Sequence, residues 1–222
     1  TQTGQCHSMP LLYLILAEQI QAEAFLSFSP NHSFIKFKDR NGKWYNIELT
    51  NGMFTASSFM INSGYIKAEA LQNHIYLQNL SKQELLSAFY VDLANGYIHK
   101  FGYDDFVEKI ADKALELYPK NVNAQMIKAN YCAIRFEYVA KQLGINPADN
   151  KQLQKIKNNP NAIALLQQAN EEGRKVEQLG FTMMPQEAYE SWLGSLKEAK
   201  RKQENETINA QFKGTIVKTL QN

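Results

Sequence analysis

His32-Ser33-Phe34-Ile35-Lys36-Phe37-Lys38-Asp39-Arg40-Asn41-Gly42-Lys43-Trp44-Tyr45-Asn46-Ile47-Glu48-Leu49-Thr50 reads as two strands around a turn. Asp39-Arg40-Asn41-Gly42 carries hairpin chemistry, and the flanks are rich in β-branched and aromatic residues. Ile35, Phe37, Tyr45, Ile47 and Leu49 are all odd-numbered, so they can share one face, expected to be the buried one. Placing Ile35 opposite Ile47 and Phe37 opposite Tyr45 puts His32, Phe34, Trp44 and Glu48 together on the other face. His32 and Glu48 are then diagonal neighbours across the ladder. A strict two-residue Asn-Gly turn would shift the register by one and split the pair. A turn beginning at Asp39 with Gly42 left-handed keeps it, and the core pattern favours that turn.

Upstream lies Gly4-Gln5-Cys6-His7-Ser8, followed by the apolar run MPLLYLILAEQI at 9–20, long enough for a buried helix. Pro10 suits its first turn. A cysteine at a helix N-terminus meets the positive end of the dipole and unpaired N–H groups, which favour the thiolate and a better nucleophile. Gly4 allows close approach of backbone or substrate. Cys6, His32 and Glu48 therefore have the parts of a nucleophile, a base and an orienting acid. Gln5, His7, Phe34 and Trp44 are candidate lining for that site.

The order resembles transglutaminase-like (papain-type) domains, in which a cysteine heads a helix, a histidine opens a strand and an acid follows in the next strand. His32-Ser33-Phe34-Ile35 resembles the family pattern of His, small, aromatic and β run. Trp44-Tyr45-Asn46-Ile47-Glu48-Leu49-Thr50 resembles its Trp, hydrophobic, acid, any residue, Thr pattern, with Glu in place of the commoner Asp. The resemblance covers about residues 4–55. It implies a Cys6-His32-Glu48 triad, a thioester intermediate and acyl transfer on an amide or peptide bond. Only five residues precede Cys6, so a truncated or minimal form of the fold is expected.

From Ser81 the pattern turns helical. Ser81 with Glu84 reads as a capping box. Asn146-Pro147 and Asn159-Pro160 read as N-cap plus first helical residue, and Gly144 and Gly180 as helix stops. Expected helices run over about 82–99, 103–118, 121–143, 147–157, 160–179 and 185–203. The stretch 204–222 reads as a tail or a short packed element. The segment from Phe101-Gly102-Tyr103 to Tyr118-Pro119-Lys120-Asn121 resembles a tetratricopeptide repeat (TPR), with Gly102 and Ala114 as small packing residues and Ala124 and Ala129 in a partial second repeat. The fold class is thus α+β. A helix-plus-antiparallel-strand domain occupies 1–80, a TPR-like region 81–145, and C-terminal helices and tail 146–222.

Composition limits the function classes. A formal net charge of +2 in 222 residues supplies no strong field for nucleic acid or an anionic membrane. No apolar run reaches the ~18 residues of a membrane helix. Cys6 and Cys132 fall in different regions, so pairing is not expected. Cys6, His7, His32 and His74 match no zinc spacing, and no cofactor is expected. Lys197, Lys200, Arg201 and Lys202 read as a solvated basic face. The chain begins at Thr1 with no signal peptide, as expected of a processed or trimmed form, cytoplasmic or exported. Two functions fit: a cysteine protease or amidase (less readily a transglutaminase), or a catalytically silent domain that binds a peptide or protein partner with its helices. The sequence leaves the oligomeric state open.

Overall fold

A computed structural model describes residues 4–50, 52–61 and 65–219. The architecture is α+β: a four-stranded antiparallel sheet accompanied by helices. The chain forms two compact units, Thr1–Tyr65 with Met183–Asn222, and Ile66–Thr182. The reading of the sequence divides it near 80 and 145 instead, leaving the last helix in a third region.

The first unit opens with α1 (Ser8–Gln19), then β1 (Ala24–Ser29), β2 (His32–Lys38), β3 (Trp44–Glu48), β4 (Met53–Thr55) and the short α2 (Ser57–Ile61). The strands form a meander in sequence order, so β2 and β3 are central. β1 and β2 are joined by Pro30-Asn31, with Asn31 at φ 55° and Ser29 paired with His32. Proline followed by a left-handed Asn suits a type II turn. Between β2 and β3, Ile35 pairs with Ile47 and Phe37 with Tyr45, the register read from the odd-numbered residues. The turn works as its residues suggest. Asp39 accepts from the backbone N–H of Asn41 and Lys43, both at 2.9 Å, and Gly42 takes φ 82°.

Two expectations about burial fail. Phe37, Tyr45, Ile47 and Leu49 are only half-buried, while His32, Phe34, Asn46 and Glu48 on the opposite side are buried. The supposed open face is covered because α9 (Gln186–Thr219), the long helix that returns to this unit, sets Trp192 against His32. The supposed buried helix α1 buries Pro10 and Ala17 alone, and Leu12, Ile15, Leu16 and Ile20 are between 56% and 76% exposed.

The second unit holds α3 (Ala68–Gln72), α4 (Lys82–Phe101), α5 (Asp105–Leu117), α6 (Val122–Gln142), α7 (Asn150–Leu153), a 3-10 turn (Gln154–Asn158) and α8 (Pro160–Gln178). Helix α5 packs on α4 and α6, and α6 packs on α8. The core of the first three uses small residues, Ala94, Ala111, Ala114 and Ala124, beside Val91, Val107, Ile110 and Ile127. Small side chains let helix axes approach closely. The Ser81–Glu84 capping box is present, and Asn159 caps α8 through Ala162 N–H at 3.0 Å.

Local departures have local causes. Asn146 does not cap a helix: it closes a turn onto Ala148 N–H, and Asp149 caps α7 instead, accepting from Lys151 and Gln152. Gly102 has φ 80° and no atom within 4 Å of where a Cβ would stand, so it ends α4 and makes no packing contact. Ala129 is half-buried, whereas Ala124 is fully buried. The 204–219 stretch continues α9, and residues 220–222 lie outside the described residues.

Candidate active site

The type II turn sets His32 as the first residue of β2, and the hairpin register carries Glu48, the last residue of β3, to the same face. The imidazole Nε2–H donates to Glu48 Oε2, and both side chains are about 1% exposed. The other carboxylate oxygen, Oε1, accepts from Thr50 N–H at 2.9 Å and Thr50 Oγ1 at 2.7 Å. Both carboxylate oxygens of Glu48 therefore accept hydrogen bonds, as a buried carboxylate requires. Because Nε2 carries the proton shared with Glu48, Nδ1 is the nitrogen left for chemistry. It is buried and makes no well-formed hydrogen bond.

Cys6 sits in the turn just before α1, half-buried. It is tied to β2 by the next residue after the histidine: Ser33 Oγ–H donates to the Cys6 carbonyl oxygen. The N-cap of α1 is His7, whose side chain caps no N–H. Helix N-terminus, strand opening and strand end thus converge at Cys6, His32 and Glu48.

The electrostatics couple the three. The Cys6 thiol is held below its ordinary value, chiefly by the His32 side chain. Partial burial opposes this, and the charges of His32 and His7 and the Ser33 backbone assist it. Burial disfavours the charged His32 ring, but Cys6 and Glu48 outweigh it and push the imidazole up to about 9. Burial likewise works against the Glu48 carboxylate, yet His32 and Thr50 hold it below the usual range. All three shifts favour a thiolate, an imidazolium and a carboxylate in a row. Cys132 behaves oppositely: it is 1% exposed in α6, and burial pushes its thiol up.

A cleft of about 550 Å³ opens over this row, lined by Gln5, Cys6, His32, Thr50, Tyr189 and Leu193 among others. Trp192 packs on His32 with ring centroids 5.0 Å apart and planes inclined at 71°. Of the expected lining residues, Gln5 is there. Phe34 is wholly buried beneath, and His7 is exposed outside the lining. Trp44 lies at the far end of the hairpin, opposite Lys38, with its ring 5.8 Å from Phe25. Sequence reasoning gives no role to Ser33, Thr50, Tyr189, Trp192 or Leu193. The Ser and Thr stand one and two residues from the histidine and the acid, where a positioning role is readable in principle. The α9 residues carry no local signal, being more than 130 positions from Thr50.

No family model, curated protein or solved structure matches the chain. Among the described residues, no helix is long and apolar enough to cross a membrane.

Proposed function

We propose that the chain is a thiol acyl-transfer enzyme, a cysteine protease or amidase of the transglutaminase-like kind, acting through Cys6, His32 and Glu48. The observation that carries this is the buried His32, bound to Glu48 through Nε2 with its other nitrogen left for a thiol whose proton affinity it lowers. Cys6 thiolate attacks the carbonyl carbon of an amide, forming a C–S bond and a tetrahedral oxyanion. Collapse breaks the C–N bond as Nδ1–H of His32 gives its proton to the leaving amine. A water then attacks the thioester while Nδ1 takes its proton. Breaking the C–S bond releases the acid and restores the thiolate, to which the proton on Nδ1 remains paired. Glu48 holds the ring orientation throughout and stabilises the imidazolium whenever Nδ1 carries the proton. Water suffices as acceptor, so hydrolysis is favoured over transfer to an amine.

The test is acylation by an activated ester, followed by intact-mass and peptide-mass spectrometry. The expected result is a transient acyl group on Cys6 of the wild type, released by water, with formation slowed about a hundredfold or more in His32→Ala. Acylation at the same rate in His32→Ala, or none at Cys6, contradicts the proposal.

A second reading concerns the helical unit. Leu86, Phe89 and Leu93 form an exposed apolar stripe on α4, at helical spacing. With the TPR-like pairing of α4 and α5, this favours a peptide- or protein-binding role that needs no catalysis. Binding of partner peptides that survives Cys6→Ser but fails in Phe89→Ser/Leu93→Ser supports it; loss in Cys6→Ser, or survival in the stripe variant, contradicts it.

A further inference from the structure

The cleft has a second chemistry beyond the thiol. Its wall along α9 continues from Tyr189 and Leu193 to Lys197, Lys200, Arg201 and Glu204. Three of the four residues of the basic run therefore line one open cleft; Lys202 does not line it. Lys200 is offset by Glu204, Nζ to Oε1 3.9 Å, a partly exposed pair that contributes little. Lys197 and Arg201 are exposed and make no ion pair among the described residues. Two uncompensated cations thus stand in the cleft that holds Cys6, on a chain whose net charge is only +2.

Their placement along the helix sets a distance. Trp192 marks the level of His32 on α9. Lys197 and Arg201 follow it by five and nine residues, or about 8 and 14 Å at ~1.5 Å per residue. An extended chain covers that span in about two to four residues at ~3.3 Å each. Arg offers a planar fork and Lys a point charge, a combination suited to a carboxylate or a phosphate.

We infer that the acyl substrate carries an anionic group, a carboxylate or a phosphate, two to four residues' length from the scissile carbonyl, and that Lys197 and Arg201 bind it. This rests on the proposed acyl-transfer role of Cys6 and names the substrate class for that site. Cys6 makes the bond, and the two cations hold the substrate's far end without touching the reacting atoms.

The test uses three alkylating probes of matched length on the full chain: iodoacetyl-triglycine, its C-terminal amide, and an iodoacetyl-diglycyl phosphoethanolamine. Rates at Cys6 are read by peptide mass spectrometry and referred to a small free thiol. The expected result is that one or both anionic probes label Cys6 about fivefold or more faster than the amide at low salt. The preference falls as salt screens it, and the ratio of anionic to amide rates falls to about one in Lys197→Gln/Arg201→Gln. It persists in Lys202→Gln, which removes one positive charge of the same basic run from outside the cleft. Preference for the carboxylate probe points to acidic peptides, and preference for the phosphate probe alone to phosphorylated ones. Equal rates for all three probes, or a preference that survives the double variant, overturn the inference. Failure of the underlying reading looks different: the neutral amide then labels Cys6 no faster than the free thiol, whatever the ratio between probes.

Discussion

The indole of Trp192 rests on the imidazole of His32, the ring centroids 5.0 Å apart. That contact joins α9 to the opening residue of β2 and covers a face of the sheet whose sequence is polar. Trp192→Ala is expected to cost about 2 kcal/mol of stability, below the value for a fully buried Trp because this one is half-exposed. Trp192→Phe keeps the edge contact and should cost about 1 kcal/mol or less. Urea unfolding of the two variants checks this, and equal losses would deny the contact its packing role.

Glu48 is the buried charge that Thr50 and His32 satisfy. Glu48→Gln is expected to destabilise the fold by about 3 kcal/mol, since truncating one partner of a buried pair leaves the other uncompensated. In the same variant the His32 titration, near 9 in the wild type, should move down toward the ordinary imidazole value. NMR titration of the ring protons measures it. An unmoved titration would mean that Glu48 does not hold the charged ring.

The pH dependence of stability follows from the two opposed shifts. His32 is raised from 6.5 to about 9, so its contribution is full below about 6.5 and lost as pH rises through about 9. Cys6 is lowered from 9.0, so its contribution is present above about 9 and lost as pH falls through its lowered value. With a thiolate–imidazolium pair, the folded pair and the unfolded pair each hold one proton from about pH 7 to 8.5, and the slopes cancel. The urea midpoint of the wild type should be flat over that window. In Cys6→Ser the cancelling thiolate is gone, and Glu48, without the push of Cys6, is the group left to hold His32 up against burial; the midpoint should decline as pH rises through the lower His32 value that results.

Gly180 ends α8 at φ 88°, and a Cβ there would stand 2.4 Å from the Ala70 backbone nitrogen. Gly180→Ala combines left-handed strain with a clash against main chain that cannot rotate away. A loss of about 2–4 kcal/mol is expected in thermal or urea unfolding. Gly102→Ala, with a positive φ but open space around it, carries backbone strain without the clash and should cost about 1–2 kcal/mol.

How far the sequence could be read depended on the range of the interactions. The hairpin register was legible because Asp39, Gly42 and the odd-numbered apolar residues all act within 20 positions of one another. The helix stops at Gly144 and Gly180 and the caps at Ser81 and Asn159 were legible for the same reason. Which side of the sheet is buried was not, because α9 supplies the cover from far along the chain. The polar residues His32 and Glu48 then became more buried than Phe37 and Tyr45. Periodicity alone also misjudged α1, which buries Pro10 and Ala17 while Leu12, Ile15 and Leu16 stay exposed. Asp149 displaced Asn146 as a cap: Asn146 closes a turn onto Ala148 N–H, and Asp149, three positions on, accepts from Lys151 and Gln152 at the start of α7. As for the site, residue order was enough to nominate Cys6, His32 and Glu48. The restraints supplied by Ser33 and Thr50, and the α9 wall, required the folded chain.

The central claim is that His32 keeps Cys6 ionised. The most direct measurement is the second-order rate of Cys6 alkylation by iodoacetamide across pH, in the wild type and in His32→Ala. The prediction is an acid limb well below the ordinary thiol value of 9.0, and a return toward that value in His32→Ala, with labelling at neutral pH slowed about tenfold or more. A wild-type limb near 9, unchanged by the loss of His32, would contradict it.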